Sequence, residues 1–275
     1  MSGPSILIPA LDEAANLPGC LASVAWCDDV VVLDSLSSDR TAEIALAAGA
    51  RVVRRRLDDW SSQQNWALAN IGFRHPWVFH LDADERVPPE LASELRETAA
   101  AAGPELAAFY CGRNNRFMGA PVPHAMPPVP VMRLYRPGRI RFERLVHPVP
   151  VVDGRWGHLR SRIEHDTSSK GIIEWVERHA RYAQLEASEG AAAREGVPRG
   201  GPSLLSRDRA LRRRALKALS ARLPFRPLLK FAYMYLVGRG FLDGRAGLAY
   251  CVLQAFYEYM IVLRTREMRA ARRPE

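Results

Sequence analysis

At 275 residues, with 48% hydrophobic and 25% charged side chains, the chain has a folded protein's composition, which excludes an intrinsically disordered one. The formal charge of +9 is unevenly placed: residues 1–199 hold 23 Lys+Arg against 25 Asp+Glu, a net of −2, and residues 200–275 hold 16 against 5, a net of +11. The four cysteines form no CxxC pair and no export signal is readable at the N-terminus, so reduced thiols in the cytosol are expected.

In chain order, Ser5–Ala10 reads as a strand, and a helix is predicted over Glu13–Ala25 with Asp12 as its N-cap. Val30–Leu33 is a second strand, followed by a helix capped by Ser38 or Asp39 and running to Ala48, before Gly49. Arg51–Arg54 is a third strand, Ser61–Asn70 a helix, and Trp77–Leu81 a fourth strand. Continuous apolar strands separated by helices predict a mostly parallel sheet covered on both faces, with ligands at the carboxyl ends of its strands. After a helix over Pro89–Ala101, short strands at Ala107–Cys111, Val131–Tyr135 and Val149–Val152 between Pro- and Gly-rich turns make the second half mixed. A helix over Gly171–Gly190 follows, and GVPRGGP (196–202) marks a boundary. The expected domains are therefore 1–195, catalytic, and 203–275, helical and basic.

Asp82-Ala83-Asp84-Glu85 leaves the strand WVFHL directly. Carboxylates at i and i+2 can converge on one hard cation, which would bridge two phosphates; the plainer reading is a charged loop before the next helix. The first strand also ends near Asp12 and Glu13, and the second near Asp34 and Asp39, so three strands bring acidic residues to one sheet edge. Crowded carboxylates repel unless a cation or hydrogen-bond donors offset them. For Asp34 and Asp39 turn and cap chemistry is the alternative.

The set PALDEAANL, VVVLDSLSSDRTAEIA, WSSQQNWALA and HLDADE, in order across residues 4–195, resembles the family-2 glycosyltransferases of the GT-A fold. RLYRPGRIRFERLVHPVPVVDG, IEHDT and RGFLDGRAGL are similar to the bacterial branch related to lipopolysaccharide inner-core glucosyltransferases. The resemblance implies a Rossmann-like catalytic domain that binds a nucleoside-diphosphate sugar, UDP-linked in most relatives. It places Pro9, Ala10, Glu13 and Gln63 on the donor, Asp34 on the base, and Asp82 on ribose and metal. Asp84 becomes the more direct ligand of a divalent cation, Mg or Mn, with His165 completing coordination; a core histidine is the alternative reading of His165. Two departures stand out: Gln64 occupies a position that is commonly basic, before Asn65, and Pro148 one that is commonly acidic. An inverting transfer needs a carboxylate to take the acceptor proton. Glu143 is the first choice, with salt-bridge partnership to Arg141 or Arg144 as the alternative and Asp153 and Asp166 as further candidates.

In the basic C-terminal region, 207–230 interleaves Arg/Lys with Leu and Ala, and 246–263 is an 18-residue apolar run broken only by Glu258. This content suits helices lying on an anionic leaflet, helices packed on the catalytic domain, or a span. The expected partners are a nucleotide-sugar donor, a glycolipid or lipid-linked acceptor and an anionic membrane surface, with a peripheral location at the cytoplasmic face of the inner membrane. Nucleic acid is not expected, because no recognition motif accompanies the charge. The rivals are a sugar nucleotidyltransferase, whose Gly-rich, Lys-containing loop is missing from PALDEAANL, and a membrane-associated scaffold with a degenerate site.

Overall fold

The computed structural model describes residues 3–143, 148–195 and 225–271. Two compact units result, one of residues 1–123 and 127–171, the other of 124–126 and 172–275.

The first unit is an α/β sheet. Its strands are β1 (Ser5–Ala10), β2 (Val30–Asp34), β3 (Arg51–Arg54), β4 (Val78–His80), β5 (Glu85–Arg86), β6 (Leu106–Phe117), β7 (Ala120–Pro121), β8 (Val131–Tyr135) and β11 (Arg155–Asp166), in the order β3-β2-β1-β4-β8-β6-β11-β5 with β7 on β6. β1, β2, β3 and β4 pair in parallel, as the apolar runs predict. β8 is antiparallel to β4 and β6, β6 and β11 are parallel, and β5 is antiparallel to β11, so the second half is mixed. β9 (Ile140–Glu143) and β10 (Val149–Val152) form a separate two-stranded ribbon.

Alternation along β1 builds both faces of the core. Ile6 and Ile8 are buried with Leu17 and Leu21 of α1 (Leu17–Ser23) and Leu91 and Leu95 of α4 (Pro89–Ala101). Leu7, Val31 and Leu33 face the other way, with Ala67 and Ile71 at the end of α3 (Trp60–Asn70). Each fully buried Leu or Ile contributes roughly 1.5–3 kcal/mol, so a sheet covered on both sides holds its strand ends rigidly.

The differences from expectation are local. The first helix starts at Leu17, not Glu13, because the N–H groups of residues 12–14 donate to side chains of the loop after β2. α2 (Thr41–Ala47) is shorter than predicted. β6 extends to Phe117, and β5, β9 and β11 were not anticipated.

The second unit contains α5 (Ile172–Glu195), α6 (Arg226–Ala232), a π-helical turn (Tyr233–Val237), a 3-10 turn (Gly240–Asp243) and α7 (Gly244–Ala270). α5 packs on α7 with Trp175, Ala183 and Ala187 buried, and Tyr257 Oη donates to Glu186 Oε1 (3.2 Å). Asp243 anchors residues 124–126, accepting the N–H groups of His124 (2.9 Å) and Ala125 (2.7 Å). The compact units thus divide at Gly171/Ile172, whereas the sequence boundary set α5 with the sheet. The breaker 196–202 and most of the basic segment 207–230 lie outside the described residues.

Candidate functional site

The carboxyl ends of β1 and β2 are stitched together by side chains. Asp12, held at φ +53°, accepts at Oδ1 from the Ser38 N–H (2.7 Å), the Ser38 hydroxyl (3.1 Å) and the Asp39 N–H (3.3 Å). In return the N–H groups of Asp12, Glu13 and Ala14 donate to Ser37 Oγ (3.0 Å), Thr41 Oγ1 (2.8 Å) and Asp39 Oδ2 (3.0 Å). Asp39 also takes the Thr41 N–H (2.9 Å), but Arg40 is the N-cap of α2 and has no side-chain cap bond, so neither Ser38 nor Asp39 caps this helix as expected. Asp12 is a loop lock and not a helix cap. Ala10, buried at the end of β1, accepts the Ser35 N–H (2.8 Å), and Pro9 lies opposite Leu33 in the β1–β2 ladder.

Asp34 is fully buried at the end of β2. The Ser37 N–H donates to its Oδ1 (3.0 Å) and Arg54 Nε to its Oδ2 (3.1 Å). One face of α3 supports the same edge. Gln63 is buried and donates to Ser35 Oγ (2.7 Å), so it steadies the loop that carries Asp34. Gln64 Nε2 donates to His80 Nδ1 (3.2 Å), which leaves the His80 Nε2 proton for Asp82 Oδ1 (3.1 Å). Asn65 reaches Phe142 in β9.

Asp82 and Glu85 meet on one guanidinium. Arg133 Nη2 lies 2.5 Å from Asp82 Oδ2 and 2.7 Å from Glu85 Oε1, and Glu85 Oε2 accepts the Asp82 N–H (2.9 Å). Burial works against a charge on Asp82, but Arg133 and His80 outweigh it and hold the carboxyl well below the usual range. Glu85, wholly buried, goes the other way: burial and the neighbouring Asp82 charge raise it despite Arg133. Both oxygens of Asp82, expected on ribose and metal, are therefore engaged by His80 and Arg133.

Asp84 faces a different group. Its Oδ2 is 3.7 Å from His165 Nε2 near the end of β11. His165 Nδ1 lies 3.0 Å from Asn115 Oδ1, its partner in the β6–β11 ladder, a contact that fixes the ring with Nε2 directed at Asp84. A carboxylate oxygen and an oriented imidazole fit a cation such as Mn²⁺. Among the described residues no group of three or more His, Cys, Asp or Glu is placed to hold an ion, so protein ligands supply only part of a coordination shell.

Glu13 carries a cation of its own: Lys170, in the turn after β11, places Nζ 2.6 Å from Glu13 Oε1, and Asn16 donates to Oε2 (2.8 Å). Burial still raises the Glu13 carboxyl, with Lys170 opposing it. Glu143 lies on the ribbon, exposed and paired with Arg141 (3.0 Å), not in the buried edge that gathers the other carboxylates. The Asp153 N–H donates to Arg139 O (2.9 Å), and Asp166 Oδ1 takes the Ser168 N–H (3.1 Å) to shape the Lys170 turn. Arg133, His80, Asn115 and Lys170 were not anticipated from sequence.

The model of Glycosyl transferase family 2 matches residues 5–160, more than half of the chain. The chain belongs to glycosyl transferase family 2. The family-2 match takes in Glu13, Asp34, Asp82, Asp84, Arg133 and Glu143, while His165 and Lys170 lie beyond its end. Among similar curated proteins, a TPR repeat-containing protein of Synechococcus elongatus is 38% identical over 217 residues, covering 67% of this chain and 51% of that protein. This chain thus spans about half the length of that relative. The lipopolysaccharide core biosynthesis glycosyltransferase LpsC of Rhizobium meliloti is 28% identical over 194 residues, covering 67% and 70% respectively. In fold, the mannosyltransferase PcManGT of Pyrobaculum calidifontis, solved with GDP-Man and Mn²⁺, superposes with a TM-score of 0.50 at 15% identity over 97% of this chain and 88% of its own. The GT-A architecture expected for a family-2 enzyme is the one observed.

Proposed function

We propose that this family-2 chain is an inverting transferase that moves a sugar from a UDP-linked donor to a glycolipid or lipid-linked acceptor at the cytoplasmic membrane face, with a divalent cation. The observation that carries the reading is the Asp84–His165 pair with its Asn115 support, set beside the buried carboxylate edge at the sheet's strand ends. The LpsC name supports a glycolipid acceptor, and the GDP-Man and Mn²⁺ of the Pyrobaculum structure support a nucleotide-sugar donor and a cation.

In this reading Asp34 presents carboxylate oxygens to the base, while Arg54 and the Ser37 N–H orient it. Asp84 and His165 hold the cation. A divalent ion bound there would offset the charge that develops on the departing diphosphate. Lys170 adds a positive charge beside Glu13 on the same edge. Asp82 and Glu85, fixed by Arg133, set the path of the 82–85 turn and so the place of Asp84. Glu143 takes the acceptor proton as the acceptor oxygen attacks the anomeric carbon and the nucleoside diphosphate leaves.

Calorimetry tests the reading. Asp84→Asn should abolish Mn²⁺-dependent UDP binding while circular dichroism stays unchanged. Unaltered UDP binding with Mn²⁺ in that variant refutes the assignment, and a wild-type chain that binds neither UDP nor Mn²⁺ is a scaffold.

A further inference from the structure

The second unit leaves a continuous apolar face uncovered. On α7, Leu248, Val252, Phe256, Tyr259 and Leu263 are each 40–50% exposed. Their spacing of four, four, three and four residues places them on one side of the helix, along about 22 Å at 1.5 Å per residue. The other side is spoken for: Tyr250, Cys251, Glu258 and Ile261 are buried, and α5 and α6 pack there. A second set precedes it in α6 and the π turn, where Phe225, Leu228, Leu229, Tyr233, Leu236 and Val237 are 49–74% exposed, again at one-face spacing. Single exposed apolar side chains are ordinary, whereas contiguous faces mark a partner.

The charges around the face say which partner. Between Arg245 and Arg264 the only charged residue is Glu258, which turns inward and pairs with Arg226. Exposed Arg239, Arg245, Arg264 and Arg266 bracket the apolar stretch, and tyrosine and phenylalanine lie within it. That is the pattern of an anionic leaflet's ligand: apolar rings at the acyl boundary, guanidinium groups at phosphates. A second copy of the chain would set one +11 region against another, which charge disfavours.

We propose that α6 and α7 form an in-plane membrane-binding face, with the Leu248–Leu263 stripe at the acyl boundary and α7 lying along the leaflet without crossing it. The inference deepens the membrane-face reading above and rests on it. Residues 240–268 form a helix long and apolar enough to span. Its inner side, however, holds Glu258 in an ion pair and Tyr257 in a hydrogen bond to Glu186 of α5, a helix that also carries the Glu174–Arg178 pair. Crossing would break these contacts or draw α5 and its charges into hydrocarbon, where unsatisfied polar groups are costly.

The test uses the full-length chain and vesicles of phosphatidylcholine with and without phosphatidylglycerol. Wild type should bind the anionic vesicles and be released by carbonate. Val252→Glu with Phe256→Glu should weaken partitioning at least about tenfold with an unchanged circular dichroism spectrum. Phe256→Trp, a variant that keeps the face apolar, should gain emission quenched by bromine-labelled acyl chains. If wild type ignores anionic vesicles, the membrane-face reading and this inference fall together. If wild type binds but the double variant binds equally well, or the emission gained by Phe256→Trp escapes quenching, the inference alone falls and the basic segment 207–224 carries the binding. Resistance of wild type to carbonate shows a span and overturns it. A lipid-free dimer that the double variant dissociates, with vesicle binding intact, assigns the face to a second copy and overturns it as well.

Discussion

Replacing Arg133 with Met removes the guanidinium shared by Asp82 and Glu85 and keeps an apolar stem of comparable reach. The two carboxylates respond differently, because the Glu85 side chain is 0% exposed and that of Asp82 is 37% exposed. Asp82 can regain water, so its half of the loss should resemble an exposed pair, about 0–1 kcal/mol. Glu85 cannot. Breaking a buried pair by deleting one partner costs about 3–5 kcal/mol, and Arg113, 3.7 Å from Glu85 Oε1, should offset part of it. A destabilisation of about 3 kcal/mol at pH 7 is expected, read as a fall of roughly 1 M or more in the urea midpoint. The penalty should shrink on acidification. The raised carboxyl of Glu85 favours folding in its protonated form, an effect present below the ordinary Glu value and lost as pH rises; without Arg133 it takes up its proton at still higher pH. The lowered carboxyl of Asp82 stabilises the wild type above the ordinary Asp value and is lost only below it, so between pH 7 and pH 5 it is Glu85 that narrows the gap. Urea melts followed by tryptophan emission at pH 7 and pH 5 measure this. A midpoint within about 0.3 M of wild type at pH 7, or a gap that widens at pH 5, refutes the reasoning.

Lys170→Met should weaken UDP binding about tenfold or more, the scale of a lost charged hydrogen bond, while Lys170→Arg recovers part of it; an affinity within twofold of wild type removes Lys170 from the donor site. Glu143→Gln should lower kcat at least about a hundredfold with little change in donor KM, and near-normal turnover transfers the base role to Asp153 or Asp166.

The parallel half of the sheet was legible because β1, β2 and β4 are buried on both faces and read as continuous apolar runs. β11 was not, since only Leu159 and Ile163 of its twelve residues are buried and the rest of WGHLRSRIEHD reads as a polar loop. β9 failed for a related reason: IRFE is four residues with two exposed charges. At the site, the carboxylates could be placed because each follows a strong strand signal. What each carboxylate touches could not, because those contacts cross the chain: Arg133 lies 51 residues from Asp82, and Asn115 lies 50 from His165. A signal existed for Arg133, a lone basic residue inside the apolar strand VMRLY, which is buried only when paired. Lys170 had none, since the turn TSSKG looks like any other solvated turn until β11 is known to deliver it to Glu13.

Asn65 has a consequence for how the protein keeps to itself. Its side-chain amide donates to Phe142 O (2.8 Å) and accepts the Phe142 N–H (2.8 Å), the same two bonds a neighbouring strand would make. A two-stranded ribbon ordinarily offers two open edges to any extended chain it meets. On the β9 side the invitation at Phe142 is already answered by an amide borrowed from α3. On the β10 side, directly opposite, stands Pro150, which has no N–H to offer. The hairpin that carries Glu143 is thereby closed to growth at its middle on both sides, and it can stay in solvent without seeding aggregation.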